Sequence, residues 1–106
     1  MDKRAAPRHK RRMTCELRYD GRKASGIVLD LSSTGLFVQT SARPAPGTVL
    51  HLMLEARGGT PELDLRVRVA RHRRTEPRLA ALVPPGLGLQ ILDAPSEYLD
   101  LVENQQ

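Results

Sequence analysis

Short runs in which apolar side chains alternate with polar ones limit what this chain can fold into more than any other feature. Met13, Cys15, Leu17 and Tyr19 alternate with Thr14, Glu16 and Arg18, the period-two pattern of a strand with one face buried. Ile27, Leu29 and Leu31 repeat it, with Val28, Asp30 and Ser32 on the other face. Leu36, Val38 and Thr40 make a third short element. Leu50, Leu52 and Leu54 lie opposite Val49, His51, Met53 and Glu55 in a fourth. Leu63, Leu65, Val67 and Val69 against Asp64, Arg66 and Arg68 give the clearest case. Leu87, Leu89 and Ile91 alternate with Gly88, Gln90 and Leu92, and residues 79–83 offer one more candidate strand before Pro84-Pro85-Gly86.

Turn-forming residues separate these runs at Asp20-Gly21, Pro44 to Gly47, Gly58 to Pro61 and Thr75 to Pro77. Six or seven short strands at this spacing predict an antiparallel barrel or sandwich, and closure into a barrel would remove exposed edges. After Pro95, Tyr98, Leu99 and Val102 fall at helical spacing, which predicts one short C-terminal helix over 96–103. With 106 residues and 40% hydrophobic composition the chain supports one core and not two. The expected division is a basic N-terminal arm over 1–12 and a β-domain with its helix over 13–106.

Charge is unevenly spread. The first twelve residues hold Lys3, Arg4, Arg8, Lys10, Arg11 and Arg12 against Asp2 alone, which accounts for the whole formal charge of +5. A cationic arm on a neutral body either is a solvated tag or meets a polyanion, most simply phosphate. Cys15 is the one cysteine, so an internal disulfide and a four-cysteine zinc site are excluded. Three aromatic residues and no Trp argue against base or sugar stacking as the main work. No stretch approaches ~18 apolar residues, and the expectation is a soluble, reduced, cytoplasmic chain without membrane insertion.

Catalytic patterns are scarce. His9, His51 and His72 are scattered over the arm, a strand face and a strand end, without metal-ligand spacing or a neighbouring nucleophile. Cys15 sits on an apolar strand face and reads as a small buried hydrophobe. Glu62 and Asp64 share a lattice with Arg66 and Arg68, which suggests cross-strand pairing. No phosphate-cradling glycine loop occurs. The sequence predicts a protein that is not an enzyme and holds no metal and no cofactor.

One constellation is specific. Asp30-Leu31-Ser32-Ser33-Thr34-Gly35 joins the second and third runs, with short polar groups able to bond backbone amides at a tight connection. Upstream stands Arg4-Ala5-Ala6-Pro7-Arg8, an RxxxR pair, with Arg8 preceding Asp30 by 22 residues. The pair RxxxR and DxSxxG, so spaced, resembles the signature of the PilZ family, bacterial receptor domains for cyclic di-GMP. Gly35-Leu36-Phe37-Val38 is similar to that family's strand after the motif, and Gly86 to Asp93 to its closing strand. The resemblance covers nearly the whole chain and implies a six-stranded antiparallel β-barrel with a C-terminal α-helix. Arg8 and Arg12 form a second RxxxR pair, with Arg12 only 18 residues before Asp30, so both registers stand open, and His9, Arg11 and Arg12 are possible additional contacts.

By this resemblance, Arg4 and Arg8 would clamp the phosphates and guanine Hoogsteen edges of cyclic di-GMP, where a guanidinium can fork or stack. Asp30 would accept from the guanine N1 and N2 hydrogens, Ser32 would add a hydroxyl bond, and Gly35 would keep the loop open. Asp30 and Ser32, two apart, are expected to face the same side. Ordering of the arm on the ligand would then engage a protein effector. The competing expectations are a nucleic-acid binder using the arm, helped by Arg71, Arg73 and Arg74, and a PilZ-like adaptor that binds no nucleotide.

Overall fold

The computed structural model describes residues 9–55 and 62–103, with side chains described from Arg12 onward. Six strands form: β1 (His9–Tyr19), β2 (Arg22–Leu31), β3 (Gly35–Gln39), β4 (Val49–Leu54), β5 (Leu63–Arg73) and β6 (Gly86–Asp93). A 3-10 turn, Pro77–Leu79, lies in the β5–β6 connection, and helix α1 spans Ser96–Glu103. The strands close into a barrel in the order β1-β2-β3-β6-β5-β4, every neighbouring pair antiparallel. Of barrel and sandwich, the chain takes the barrel.

The first half of β5 shows why these residues form strands. Leu63, Leu65, Val67 and Val69 point inward and are at most 4% exposed, while Asp64, Arg66 and Arg68 stay in solvent. Leu50, Leu52 and Leu54 face them from β4, and Met13, Cys15 and Leu17 from β1. Each such apolar side chain contributes about 1.5–3 kcal/mol on burial, Cys15 less. The β1–β2 hairpin turns at Asp20 and Gly21, both at positive φ (51° and 70°). This two-residue turn matches the right-handed twist of the strands it joins.

Several expectations are corrected. Strand β1 begins at His9, four residues before the start of the alternating run, with a register irregularity between Lys10 and Met13. Residues 79–83 are not a strand. Pro77 starts a 3-10 turn, Leu82 N and Val83 N both donate to Leu79 O (3.0 and 2.9 Å), and Pro84 and Pro85 have no N–H for a ladder. In α1, Tyr98, Leu101 and Val102 join the core, whereas Leu99 is 45% exposed. The expected turn at Gly58 to Pro61 lies outside the described residues, apart from the strand ends that flank it.

The β-bulges on β2 and β5 decide which of their residues face outward. On β2, Val28 pairs with Val38 and Asp30 with Phe37, so Leu29 is the extra residue. Val28 and Leu31 are therefore the core residues of this stretch, and Ile27 and Leu29 are half-buried. On β5, Val69 pairs with Leu89 and Arg71 with Gly88, which makes Ala70 the extra residue. A bulge shifts every following side chain to the opposite face. Asp30 shares parity with inward-facing Val28, as Arg71 and Arg73 do with Val69, and the bulges turn all three outward.

Candidate functional site

Antiparallel register carries the outward residues into a row across four strands. Asp30 on β2 pairs with Phe37 on β3, Phe37 with Gly88 on β6, and Gly88 with Arg71 on β5. A second row runs Gly35, Gln90, Arg68. Together with Thr34, Ala70, Arg73 and Leu89, residues Asp30, Gly35, Phe37, Arg71, Gly88 and Gln90 line a solvent-open bowl of about 310 Å³.

The floor of the bowl is built from three contacts. Phe37 lies on the outer face yet is only 5% exposed, because the guanidinium of Arg73 stacks over its ring at 3.8 Å from the centroid. Such a cation–π contact contributes about 0.5–2 kcal/mol. Arg73 is fixed from behind, its Nε and Nη2 both donating to Pro84 O (2.9 and 2.7 Å). Arg71 lies along Gly88, where an added Cβ would come within 3.1 Å of its Cγ and 3.3 Å of its Nε. Only a glycine at 88 lets that side chain lie so close to the sheet. Neither arginine has a carboxylate at ion-pairing distance among the described residues.

The connection between β2 and β3 closes on itself. Ser32 N donates to Gly35 O (2.8 Å), and the Ser32 hydroxyl accepts from Thr34 N and Gly35 N (3.2 Å each). Ser32 is 1% exposed. Its carbonyl accepts from the Tyr98 hydroxyl of α1 at 2.7 Å, and Thr34 O accepts from Ile91 N at 2.9 Å. Asp30 and Ser32 therefore do not face the same side. The strand ends at Leu31 and the chain turns inward, so Asp30, Thr34 and Gly35 border the bowl and Ser32 holds the turn beneath it.

The arginines of the basic arm stand apart from this description. Arg4 and Arg8 lie outside the described residues. His9 and Arg11 belong to β1 by backbone, with His9 paired to Leu31 and Lys10 to Asp30. Arg12 is exposed and does not border the bowl. Phe37, Arg71, Arg73, Gly88 and Gln90 are not among the nucleotide-site residues the sequence predicts, and Arg71 and Arg73 figure there only as helpers of a nucleic-acid-binding arm. The signal that could have found them is a pair of arginines at inward parity at the end of a strand, a place where a bulge is the cheapest remedy.

Other groups fall outside this chemistry. A larger groove of about 600 Å³, bordered by Thr14, Gly26, Thr40, Arg43 and Glu55 among others, touches none of the motif residues. Burial, and next the charge of Glu55, push the Cys15 thiol up to about 12; it stays protonated at neutral pH and is no nucleophile. Among the described residues no three His, Cys, Asp or Glu side chains gather as a metal site, and no helix is long and apolar enough to cross a membrane.

Comparison with known proteins adds the following. A family profile described as PilZ domain matches residues 2–105. Among solved structures, the Bacillus subtilis inhibitor of motility, MotI/DgrA, superposes with a TM-score of 0.78 at 13% identity. The match covers 99% of this chain and 50% of that one, so this chain spans half the length of the solved protein. At that identity the likeness is one of fold. No curated protein matches the sequence.

Proposed function

This chain belongs to the PilZ domain family, and on that premise we propose that it is a receptor for cyclic di-GMP. The observation that carries the reading is the row Asp30–Phe37–Gly88–Arg71 with Arg73 beside it, on the outer face where β1 enters the barrel. The ligand has two phosphates and two guanines. Arg71 and Arg73 offer guanidinium planes and forks to phosphate or to guanine O6 and N7. Asp30 offers a carboxylate to guanine N1–H and N2–H. Arg73, already flat on Phe37, leaves its outer face for a purine to stack on.

Arg4 and Arg8 complete the clamp in this reading. Arg8 is bonded to His9, whose backbone pairs with Leu31 next to Asp30, and this supports Arg8 as the nearer of the two. Ser32 acts as a positioning residue, its hydroxyl bonded to the backbone of the turn that presents Asp30, Thr34 and Gly35. A nucleotide gathered by Arg4, Arg8 and the bowl joins residues 1–8 to the outer face, and that composite surface engages a protein effector.

Calorimetric titration of cyclic di-GMP tests the reading, with Arg8→Ala and Asp30→Ala alongside. Low-micromolar or tighter binding, lost in both variants and absent with GTP, is the expected result. Binding kept in Arg8→Ala and lost in Arg12→Ala would move the arginine pair by one register. Absence of binding at moderate salt overturns the receptor reading in favour of a nucleotide-free adaptor. Affinity for DNA or RNA that falls steeply with salt would instead assign the arm to nucleic acid.

A further inference from the structure

Five large apolar side chains are exposed among the described residues: Val49, Leu79, Leu82, Val83 and Leu99. Three of them fall within five residues of the β5–β6 connection, where Leu82 is 81% exposed. This ridge is pre-shaped by its own backbone bonds to Leu79 O, and its root is held where Arg73 forks onto Pro84 O. The charge around it is one-sided: residues 71–86 contain Arg71, Arg73, Arg74 and Arg78 against Glu76 alone.

The complement lies on the same molecule. Leu99 stands on the exposed face of α1, in a stretch, residues 93–103, that holds Asp93, Glu97, Asp100 and Glu103 and no basic residue. None of these four carboxylates makes an ion pair among the described residues. Neither surface covers the other within one chain, since Leu82 and Leu99 both remain exposed.

We propose that the two surfaces are halves of one contact between copies of this chain. The ridge of one copy seats on α1 of a second, Leu82 against Leu99, with Arg74 and Arg78 facing Asp100 and Glu103. Matched signs steer the encounter and exclude other registers. A membrane fits less well, because residues 74–86 contain none of the aromatic side chains that favour a lipid interface. Three aliphatic side chains cover much less than the roughly 800 Å² per partner of a stable interface, so the association is weak and sensitive to salt. Two reciprocal contacts close a two-fold pair, and single contacts build open chains. This contact between copies does not require bound nucleotide.

Sedimentation velocity between about 10 and about 500 micromolar protein in low salt tests it. The mean sedimentation coefficient is expected to rise with concentration, and the rise to vanish in Leu82→Asp and persist in Val49→Asp, the same kind of change at an exposed apolar residue outside the ridge. Arg74→Glu and Asp100→Arg are each expected to remain monomeric alone and to associate when mixed, since the two altered faces then carry opposite charges and the two unaltered faces still match. A single monomeric species throughout overturns the proposal, as does a rise that survives Leu82→Asp or a mixture that stays monomeric. Binding to phosphatidylserine vesicles that Leu82→Asp abolishes, without self-association, would give the ridge to a membrane and overturn it equally.

Discussion

The two halves of β5 obey different rules. From Leu63 to Val69 alternation is strict: the aliphatic residues fill the core, and Asp64, Arg66 and Arg68 stand in solvent. There Asp64 lies 3.6 Å from His51 Nδ1 on β4, both more than half exposed, an arrangement worth little to stability. Past Ala70 the strand is shifted by one residue. Arg71 lies on Gly88, Arg73 on Phe37, and neither meets a carboxylate among the described residues. The same strand thus supplies scaffold before the bulge and a cationic, partly desolvated surface after it. One inserted residue separates the two.

Placing a guanidinium before the bulge should have the largest effect. Val69→Arg puts an arginine two residues before Arg71, at a position where β5 faces the core and Val69 is 1% exposed. Burying an unpaired guanidinium group costs about 3–5 kcal/mol. Urea denaturation should show a loss of that size or failure to fold; a stable, cooperatively folded variant would mean the bulge does not divide a buried register from an outward one.

Charge reversal compares the halves directly. Arg71→Glu should weaken cyclic di-GMP binding by about 10- to 100-fold or more, since a charge-assisted bond is worth about 1.5–3 kcal/mol. Arg66→Glu, on the same strand before the bulge, should leave affinity within a factor of about two, as surface changes away from a contact do. Equal losses measured by calorimetry for the two would erase the distinction and point to a diffuse electrostatic effect.

The turn under Asp30 separates holding from touching. Tyr98→Phe removes the hydroxyl bonded to Ser32 O and leaves a buried carbonyl without that donor. A stability loss of about 1–3 kcal/mol is expected in denaturant titration. Affinity should fall less than in Asp30→Ala, whose carboxylate faces the bowl. If Tyr98→Phe leaves stability unchanged, α1 does not support the turn.

The smallest effect concerns pH and lies on β1, away from the bowl. Burial raises the Cys15 thiol from 9.0 to about 12. The unfolded chain therefore releases this proton first as pH rises. The stabilisation is complete below about pH 9 and is lost progressively toward pH 12, by about 1.4 kcal/mol per unit at most. The melting temperature of the wild type should fall between pH 9 and 10 by more than that of Cys15→Ala. Parallel curves would show that the thiol does not contribute.

Much of the barrel was legible because its signal is local. Six alternating runs, the Asp20-Gly21 turn and the helix after Pro95 each follow from neighbours in sequence. The Asp30–Gly35 segment was legible as a turn for the same reason. Alternation places Asp30 on the outward face, but with Leu29 as its inward neighbour; the bulge at Leu29 makes Val28 the inward residue instead. Alternation carried one step past Leu31 places Ser32 outward, whereas the strand ends at Leu31 and Ser32 is buried in the turn. Residues 79–83 look like a strand by composition, yet two prolines beyond them and a proline before leave no ladder to join.

By itself the sequence determined the strands, their inward faces over most of their length, and a turn capable of holding a carboxylate at the barrel surface. These are decided by side-chain period and by backbone preferences of a few consecutive residues. Which strands lie side by side was a tertiary matter. β6 sits between β3 and β5, so Asp30, Phe37, Gly88 and Arg71, up to 58 positions apart in a chain of 106, fall in one row. The bulges were tertiary as well. An extra residue in a strand is defined only against a partner that lacks one, and no single strand carries that information.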